Sequence, residues 1–388
     1  MSKNPKIIFY PVDNGNMIFI KLKDNTTILI DMHIRKKSHD DNAEEFYDVL
    51  SHLKDSLEQD SQDRYFLDAF ILTHLDHDHI AGLKDNFYLG AIDDYKDKDK
   101  KDEKIIIKET WSSERFWKRE TNSIKLSDDA KAYNKEMRRR ANLHKSNDEV
   151  IQKEGDRAII IGDDEDDEGY NKIIHKVRQS TSKVNNNIKS NFKINILGPL
   201  EQQENEDKET FDTKNRGSII LQLEIKVGSY TNKVLLTGDA EVDVCEYMND
   251  KYNSDKLEYD ILCSPHHCSM ASLGRKKDKN KKGGYIISQK AKEALSHAKN
   301  GATIISSSKE ILDDDKNPPH YEAKQEYIKI INNKKDDFLC TGEYPKKSSV
   351  EPIIIEFTSA GTHLKTGSSK SKAGVATESS SKNIYPHG

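Results

Sequence analysis

The stretch from Thr73 to Leu83 constrains this chain more than any other. Five imidazole or carboxylate side chains stand within the six positions His74-Leu75-Asp76-His77-Asp78-His79. Just before them, residues 66–73 form a short apolar run with aromatic and branched side chains, the pattern of a strand buried on both faces. The cluster therefore sits at a strand end, and Ile80-Ala81-Gly82-Leu83 reads as the first turn of a helix or the floor of a tight loop. Imidazoles and carboxylates converging on such a bend repel or desolvate one another, and a divalent metal resolves the conflict. The alternative is a solvated loop that happens to be rich in His and Asp.

A chain of 388 residues can bury one large core or two small ones. Charged residues are 33% against 34% hydrophobic, which predicts long solvated insertions rather than a second core. The expectation is one domain over residues 1–360, with 91–190 as a helical, charged insertion acting as a lid or substrate-binding element, and 361–388 as a flexible tail. No run approaches the roughly 18 apolar residues of a membrane span, and the first residues lack a signal peptide's apolar region. A soluble, cytoplasmic protein without a membrane partner is expected. Cys245, Cys263, Cys268 and Cys340 show no C-x-x-C spacing, so neither a disulfide framework nor a zinc ribbon is predicted. With a net charge of −5, affinity for nucleic acid must come from local basic patches and from metal.

Along the chain, residues 6–10, 17–22 and 26–31 read as a β-meander with a turn at Lys23-Asp24-Asn25. Phe46, Val49, Leu50, Leu53 and Leu57 recur at helical spacing and predict a helix over 43–57. Within 91–190, a helix is expected from about Ala130 to His144. The acidic run 163–168 imitates the start of an EF-hand at Asp164, Asp166, Glu168 and Gly169, but the twelfth position falls on His175, which cannot supply a bidentate carboxylate. Trp111, Phe116 and Trp117 either anchor the insertion to the core or offer stacking faces for bases. Arg138, Arg139 and Arg140 contact phosphates or are simply solvated. The β pattern restarts at 192–198, 218–226 and 233–239. A helix over 240–249 follows, then strands at 259–265 and 301–308, a helix opened by Pro318-Pro319-His320-Tyr321, and a closing strand at 352–358. Two β-rich halves separated by helical material predict an α/β protein of the αββα sandwich type.

The row His74-Leu75-Asp76-His77-Asp78-His79 resembles the H-x-H-x-D-H signature of the metallo-β-lactamase superfamily, with Asp76 in place of the second His. That H-x-D-x-D-H form is similar to the hydrolase domain of ComEC-type competence proteins, which are membrane proteins, so this chain would be a free-standing relative. Further blocks resemble that branch in the same order: Val12-Asp13-Asn14-Gly15-Asn16 and Leu29-Ile30-Asp31 loosely, then Asn215-Arg216-Gly217-Ser218, Leu235-Leu236-Thr237-Gly238-Asp239, Pro265-His266-His267-Cys268-Ser269 and Pro318-Pro319-His320.

The resemblance implies a four-layer αββα metallo-β-lactamase sandwich holding two divalent metal ions, Mn²⁺ or Zn²⁺. His74, Asp76 and Asp239 would hold one ion; Asp78, His79, Asp239 and either His266 or His267 the other, with a slight preference for His266. Asp76 supplies oxygen where most relatives have nitrogen and so favours harder ions such as Mn²⁺. The His that relatives carry near Asn215 and Ser218 is missing, which leaves the first ion one protein ligand short. His33 stands where a glycine is usual, and either points toward the metals or is an ordinary loop residue. Cys268 replaces a glycine, as a small packed residue or as a soft ligand. Asp78 and His320 are the candidate catalytic residues, His320 as proton donor or phosphate contact. Arg275, Lys276 and Lys277, which open a run of six basic residues in eight, join Asn215 and Ser218 as candidate substrate-binding residues. The implied activity is that of a dinuclear metal-dependent phosphodiesterase, a nuclease on DNA or RNA. The alternatives are hydrolysis of a small molecule such as a cyclic nucleotide or lactone, and a non-catalytic metal-binding interaction module.

Overall fold

Apolar side chains alternate along the strands of the second half and divide between two cores. Val234 and Leu236 of the strand Tyr230–Leu236 enter one, while Leu235 between them enters the other. Ile261 and Cys263 oppose Leu262 in the same way along Tyr259–Cys263. A strand buried on both faces belongs inside a layered sandwich. This is a computed structural model, and it describes residues 4–35, 44–113, 116, 126–146, 153–162, 169–200, 215–277, 284–314, 318–332, 337–365 and 377–378.

Two mixed sheets pack face to face. The first runs in the order Ile174–His175, Arg157–Ile161, Ile105–Ser113, Tyr65–Ile71, Thr27–Ile30, Ile18–Lys21, Lys6–Phe9, Ile353–Thr358 and Gly361–Leu364. The second runs Ser180–Thr181, Phe192–Ile196, Leu221–Val227, Tyr230–Leu236, Tyr259–Cys263, Ala298–Ser306 and Phe338–Cys340. Ile7, Phe9, Leu29 and Ile355 of the first share a core with Leu223, Val234, Ile261 and Ile305 of the second. On the outer face of the second sheet, Val244 and Met248 of helix Val242–Lys251, Ala294 of Gln289–Ala294 and Tyr327 of Tyr321–Ile330 form the other core. The helix Asp128–Ser146 covers the first sheet, with Tyr133 edge-on to Phe70 at 5.8 Å. These layers are the α/β sandwich, helix–sheet–sheet–helix, that the strand and helix pattern predicts.

Each half repeats one plan: an antiparallel three-strand meander followed by parallel strands. Thr27–Ile30 ends the first meander and pairs parallel with Tyr65–Ile71. Tyr230–Leu236 ends the second and pairs parallel with Tyr259–Cys263.

Among the described residues, the main elements of 91–190 belong to the framework. Ile105–Ser113 and Arg157–Ile161 are interior strands of the first sheet, and Asp128–Ser146 is its cover. The charged flank over 94–104 conceals the run Ile105-Ile106-Ile107, whose exposures are all 2% or less. Trp111 and Phe116 are buried core residues, and the Trp111 Nε1–H donates to Glu109 at 2.8 Å. Anchoring is therefore their role; Trp117 and the acidic run 163–168 lie outside the described residues.

Two of the three arginines of the long helix, Arg139 and Arg140, are structural, while Arg138 is exposed. Arg140 is buried, with Nε donating to Glu136 at 2.7 Å and NH2 to the Ile107 carbonyl at 3.0 Å, while Arg139 pairs with Glu136 and Asp156. The first helix is shorter than predicted, Val49–Ser56, because the Asp48 carboxylate caps it by accepting from the Ser51 amide at 3.1 Å. A separate strand, Gly361–Leu364, lies past the expected boundary and pairs antiparallel with Ile353–Thr358, and Thr377–Glu378 pair with Glu44–Glu45; the rest of 366–388 lies outside the described residues. Among the described residues all four cysteines are free and buried, and no helix is long and apolar enough to cross a membrane.

Candidate metal centre

Two loops of matching construction build the site, one from each half. Ile30 lies beside Ile71 in the first sheet, so Asp31 and Thr73 leave it side by side. The Thr73 amide donates to Asp31 Oδ1 at 2.7 Å and the Thr73 hydroxyl to Oδ2 at 2.6 Å. Leu236 lies beside Cys263 in the second sheet; there the Thr237 hydroxyl donates to the Cys263 carbonyl at 2.7 Å and the His266 amide to the Gly238 carbonyl at 3.0 Å. The segments after these strands bring His74–His79 and Asp239–His267 together at the same end of the sandwich. Asp31, His266, His267 and Cys268 all have positive φ, between 50° and 64°. Left-handed backbone at non-glycine residues costs about 1–3 kcal/mol each and persists where the surroundings impose it.

The hydrogen bonds settle which nitrogen of each ring carries its proton. His79 Nδ1–H donates to Asp31 Oδ2 at 2.8 Å, and His267 Nδ1–H to the Ser307 carbonyl at 2.8 Å. The Thr73 hydroxyl proton is committed to Asp31, so its oxygen accepts from His74 Nδ1–H, 3.2 Å away. In the neutral rings all three Nε2 atoms are then bare. His79 Nε2 is 3.4 Å from His267 Nε2 and 3.3 Å from Asp239 Oδ1; His74 Nε2 is 3.3 Å from Asp239 Oδ2; His267 Nε2 is 3.2 Å from Asp78 Oδ2 and 3.5 Å from Asp239 Oδ1. His74 Nε2 and Asp239 Oδ1 are buried and make no hydrogen bond among the described residues.

Converging lone pairs and carboxylates of this kind suit a cation. Two overlapping groups, His74–Asp78–His79 and His79–Asp239–His267, have ligand atoms within 4.8 Å of one another, a spacing that fits a divalent ion. The electrostatics are tightly linked. Burial opposes charge on Asp239, but His267, His79, His74 and His266 hold its carboxyl well below the usual range; Asp78 is held low in the same way, chiefly by His79 and His267. Burial likewise opposes charge on His79 and His267, yet Asp239, with Asp31 or Asp78, drives both upward. Protons and a divalent ion therefore compete for the same lone pairs.

The structure brings together His74, Asp78, His79, Asp239 and His267. Asp76 falls outside both groups: it is half-buried at the N-cap of the one-turn helix His77–Ile80, and His77 is exposed. His266 also falls outside, whereas His267 falls within one of them. Its Nε2 is 3.8 Å from Asp239 Oδ2 and its Nδ1 3.9 Å from Glu241 Oε1. Neither group includes Cys268, which is fully buried in the second core, where burial drives its thiol pKa well up. His33 sits beside the metal loop with its ring 6.0 Å from that of His77.

Among the substrate-binding candidates, Asn215 donates to Glu241 at 2.7 Å, while Asn215 Oδ1 and Ser218 Oγ are buried without a hydrogen-bond partner among the described residues. Arg275 is committed elsewhere: NH1 and NH2 clamp both Glu246 oxygens at 2.7 and 2.8 Å, and NH2 also reaches Asp243 at 2.5 Å. Its charge is paired with those two carboxylates; Lys276 and Lys277 are exposed, and 278–283 lie outside the described residues.

Sequence reasoning missed Asp31 as the partner of His79 and Glu241 as the partner of Asn215. The signal for Asp31 lay in the parallel between the strand ends Leu29-Ile30-Asp31 and Leu236-Thr237-Gly238-Asp239. Glu241 has none, because its role depends on Asn215, 26 positions away.

No protein-family model matches this sequence, and no curated protein matches it. Solved structures similar to it include a B3 metallo-β-lactamase with an active-site glutamic acid, at 12% identity, covering 76% of this chain and 86% of that one with a TM-score of 0.31. BJP-1, a subclass B3 metallo-β-lactamase of Bradyrhizobium japonicum, is 12% identical over 76% of this chain and 89% of its own, with a TM-score of 0.29. Unliganded yeast PDE1 is 9% identical over 87% and 96%, with a TM-score of 0.36. Likeness at this level assigns neither activity nor substrate.

Proposed function

We propose that this chain is a metal-dependent hydrolase of phosphodiester bonds, with DNA or RNA as substrate. The observation that carries the reading is the convergence of three bare imidazole Nε2 atoms on the buried Asp239 carboxylate, whose Oδ1 faces His79 and His267 and whose Oδ2 faces His74. His74, Asp78, His79, Asp239 and His267 would hold one or two divalent ions, Mn²⁺ or Zn²⁺. Such an ion supplies Lewis acidity toward a phosphoryl oxygen and acidifies water.

The chain's own groups do the rest. Asp31 and the Ser307 carbonyl orient His79 and His267. Ser218 Oγ and His266 Nδ1, buried and without a hydrogen bond among the described residues, are the candidate contacts for substrate oxygens. Exposed Lys276 and Lys277 beside this loop raise the local concentration of phosphate esters on a chain of net charge −5.

The test is metal analysis of the purified protein, then incubation with single-stranded and duplex nucleic acid plus Mn²⁺ or Zn²⁺, alongside Asp78→Ala and Asp239→Ala. Bound metal with cleavage lost in both variants supports the reading. Bound metal without cleavage of any polymer defeats the nuclease assignment and redirects the search to small phosphodiesters and lactones; absence of metal defeats every version.

A further inference from the structure

His320 precedes the helix Tyr321–Ile330 and is 6% exposed. Its amide donates to the Cys268 carbonyl at 3.0 Å, and its Nδ1 lies 3.2 Å from the Met270 amide nitrogen. A backbone amide only donates, so Nδ1 accepts and the neutral ring carries its proton on Nε2. That Nε2 is buried and, among the described residues, has no hydrogen-bond partner. The loop that fixes Nδ1 is the one that carries His266 and His267. Buried donors are almost always satisfied, and one left bare beside a metal-competent cluster calls for an external acceptor.

The surroundings also decide what the ring cannot do. Taking a second proton means placing it on Nδ1, where it would confront the Met270 N–H and break that bond. The groups around the ring are His266 on the loop, Tyr285 edge-on at 5.5 Å and Lys276 on the hairpin, and Glu322 on its own helix. Burial lowers the imidazole pKa to about 4; Glu322 opposes the fall, while His266 and Lys276 add to it. The positive end of the helix works in the same direction.

We propose that His320 acts as a neutral hydrogen-bond donor, through Nε2–H, to an anionic phosphoryl oxygen of the substrate, and does not transfer a proton. The proposal rests on the hydrolytic reading of the adjoining cluster. It decides between the two roles that the sequence leaves open for this residue, in favour of the phosphate contact.

The test uses the full-length, zinc-loaded protein labelled with ¹⁵N-histidine, with the His320 signals assigned by comparison with His320→Gln. Long-range ¹H–¹⁵N spectra from about pH 5.5 to about pH 8 should show a neutral ring protonated on Nε2 throughout. Inorganic phosphate should shift that Nε2–H signal. An imidazolium or an Nδ1–H tautomer in this range overturns the proposal, as does phosphate that leaves the signal unmoved. Kinetics on bis(p-nitrophenyl) phosphate supply the second readout. His320→Met, which has no donor, should lose about 100-fold in kcat, and His320→Gln, which keeps one, about tenfold or less. Equal losses overturn the proposal. A protein that cleaves no phosphodiester defeats the hydrolase reading, while the tautomer and its response to phosphate still judge His320.

Discussion

Asp31 Oδ2 accepts from His79 Nδ1 at 2.8 Å, and that single bond turns His79 Nε2 toward Asp239 Oδ1, 3.3 Å away. Asp31 is wholly buried and also accepts from the Thr73 amide and hydroxyl, so one carboxylate orders both the ring and the start of the metal loop. Asp31→Asn keeps the size and tolerates the positive φ, but weakens the hold on the His79 tautomer. Metal affinity should fall about 10–100-fold with the fold intact, read by calorimetric titration and circular dichroism. Unchanged affinity would show that His79 needs no such support.

Metal should stabilise the native chain, because the ligands come from both halves and are not assembled in the unfolded state. At about a hundred times its Kd an ion adds about 2.7 kcal/mol. A chelator should therefore lower Tm by several degrees, and Mn²⁺ or Zn²⁺ should restore it. In Asp239→Asn this metal dependence of Tm should disappear. A chelator effect of equal size in that variant would place the stabilising ion elsewhere.

Gly15 lets two segments of backbone meet. A Cβ there would lie 2.5 Å from His33 Nδ1 and 2.6 Å from the Asp78 carbonyl, which accepts from the Asn16 amide at 3.2 Å. Gly15→Ala should cost about 1–3 kcal/mol and displace Asp78 from the ligand set. Urea unfolding and metal titration should both register the change; normal values in both would mean that the loop yields freely.

The Arg275 clamp gives a pH signature. Hydrogen bonding from Arg275, against burial and with help from Ser288, holds the Glu246 carboxyl down to about 2. A depressed carboxyl contributes stability above its unfolded pKa, and that contribution is lost as pH falls toward the folded value. The stability gap between wild type and Arg275→Gln should be full near pH 6 and shrink steadily from about pH 4.5 downward. Nucleic-acid affinity should fall more for Lys276→Ala than for Arg275→Gln. The reverse order would mark Arg275 as a substrate contact.

Arg140 is a framework residue, not a phosphate contact. Arg140→Met should cost about 3 kcal/mol by urea unfolding, because the Ile107 carbonyl and part of the Glu136 carboxylate lose a buried partner. Oligonucleotide binding by the refolded variant should be unaltered, and a selective loss of binding would contradict the assignment.

The sequence by itself determined the strand before His74, the meanders, the layered α/β class and the metal-competent run. Those are local: periodicity and residue chemistry within a few positions specify them. What only the tertiary structure decided depends on register across sheets and on long-range hydrogen bonds. It recruited Asp31, 48 positions from its partner His79. It placed His267, and not His266, in one of the two candidate ligand groups. Asp76 was set outside both ligand groups, and Arg275 was spent on Glu246. It also made Ile105–Ser113 and Arg157–Ile161 part of the core, since charge on a flank does not reveal which edge of a sheet an apolar run will join. A side chain's chemistry is written at its own position, while its direction and partners are set by segments that only folding brings beside it.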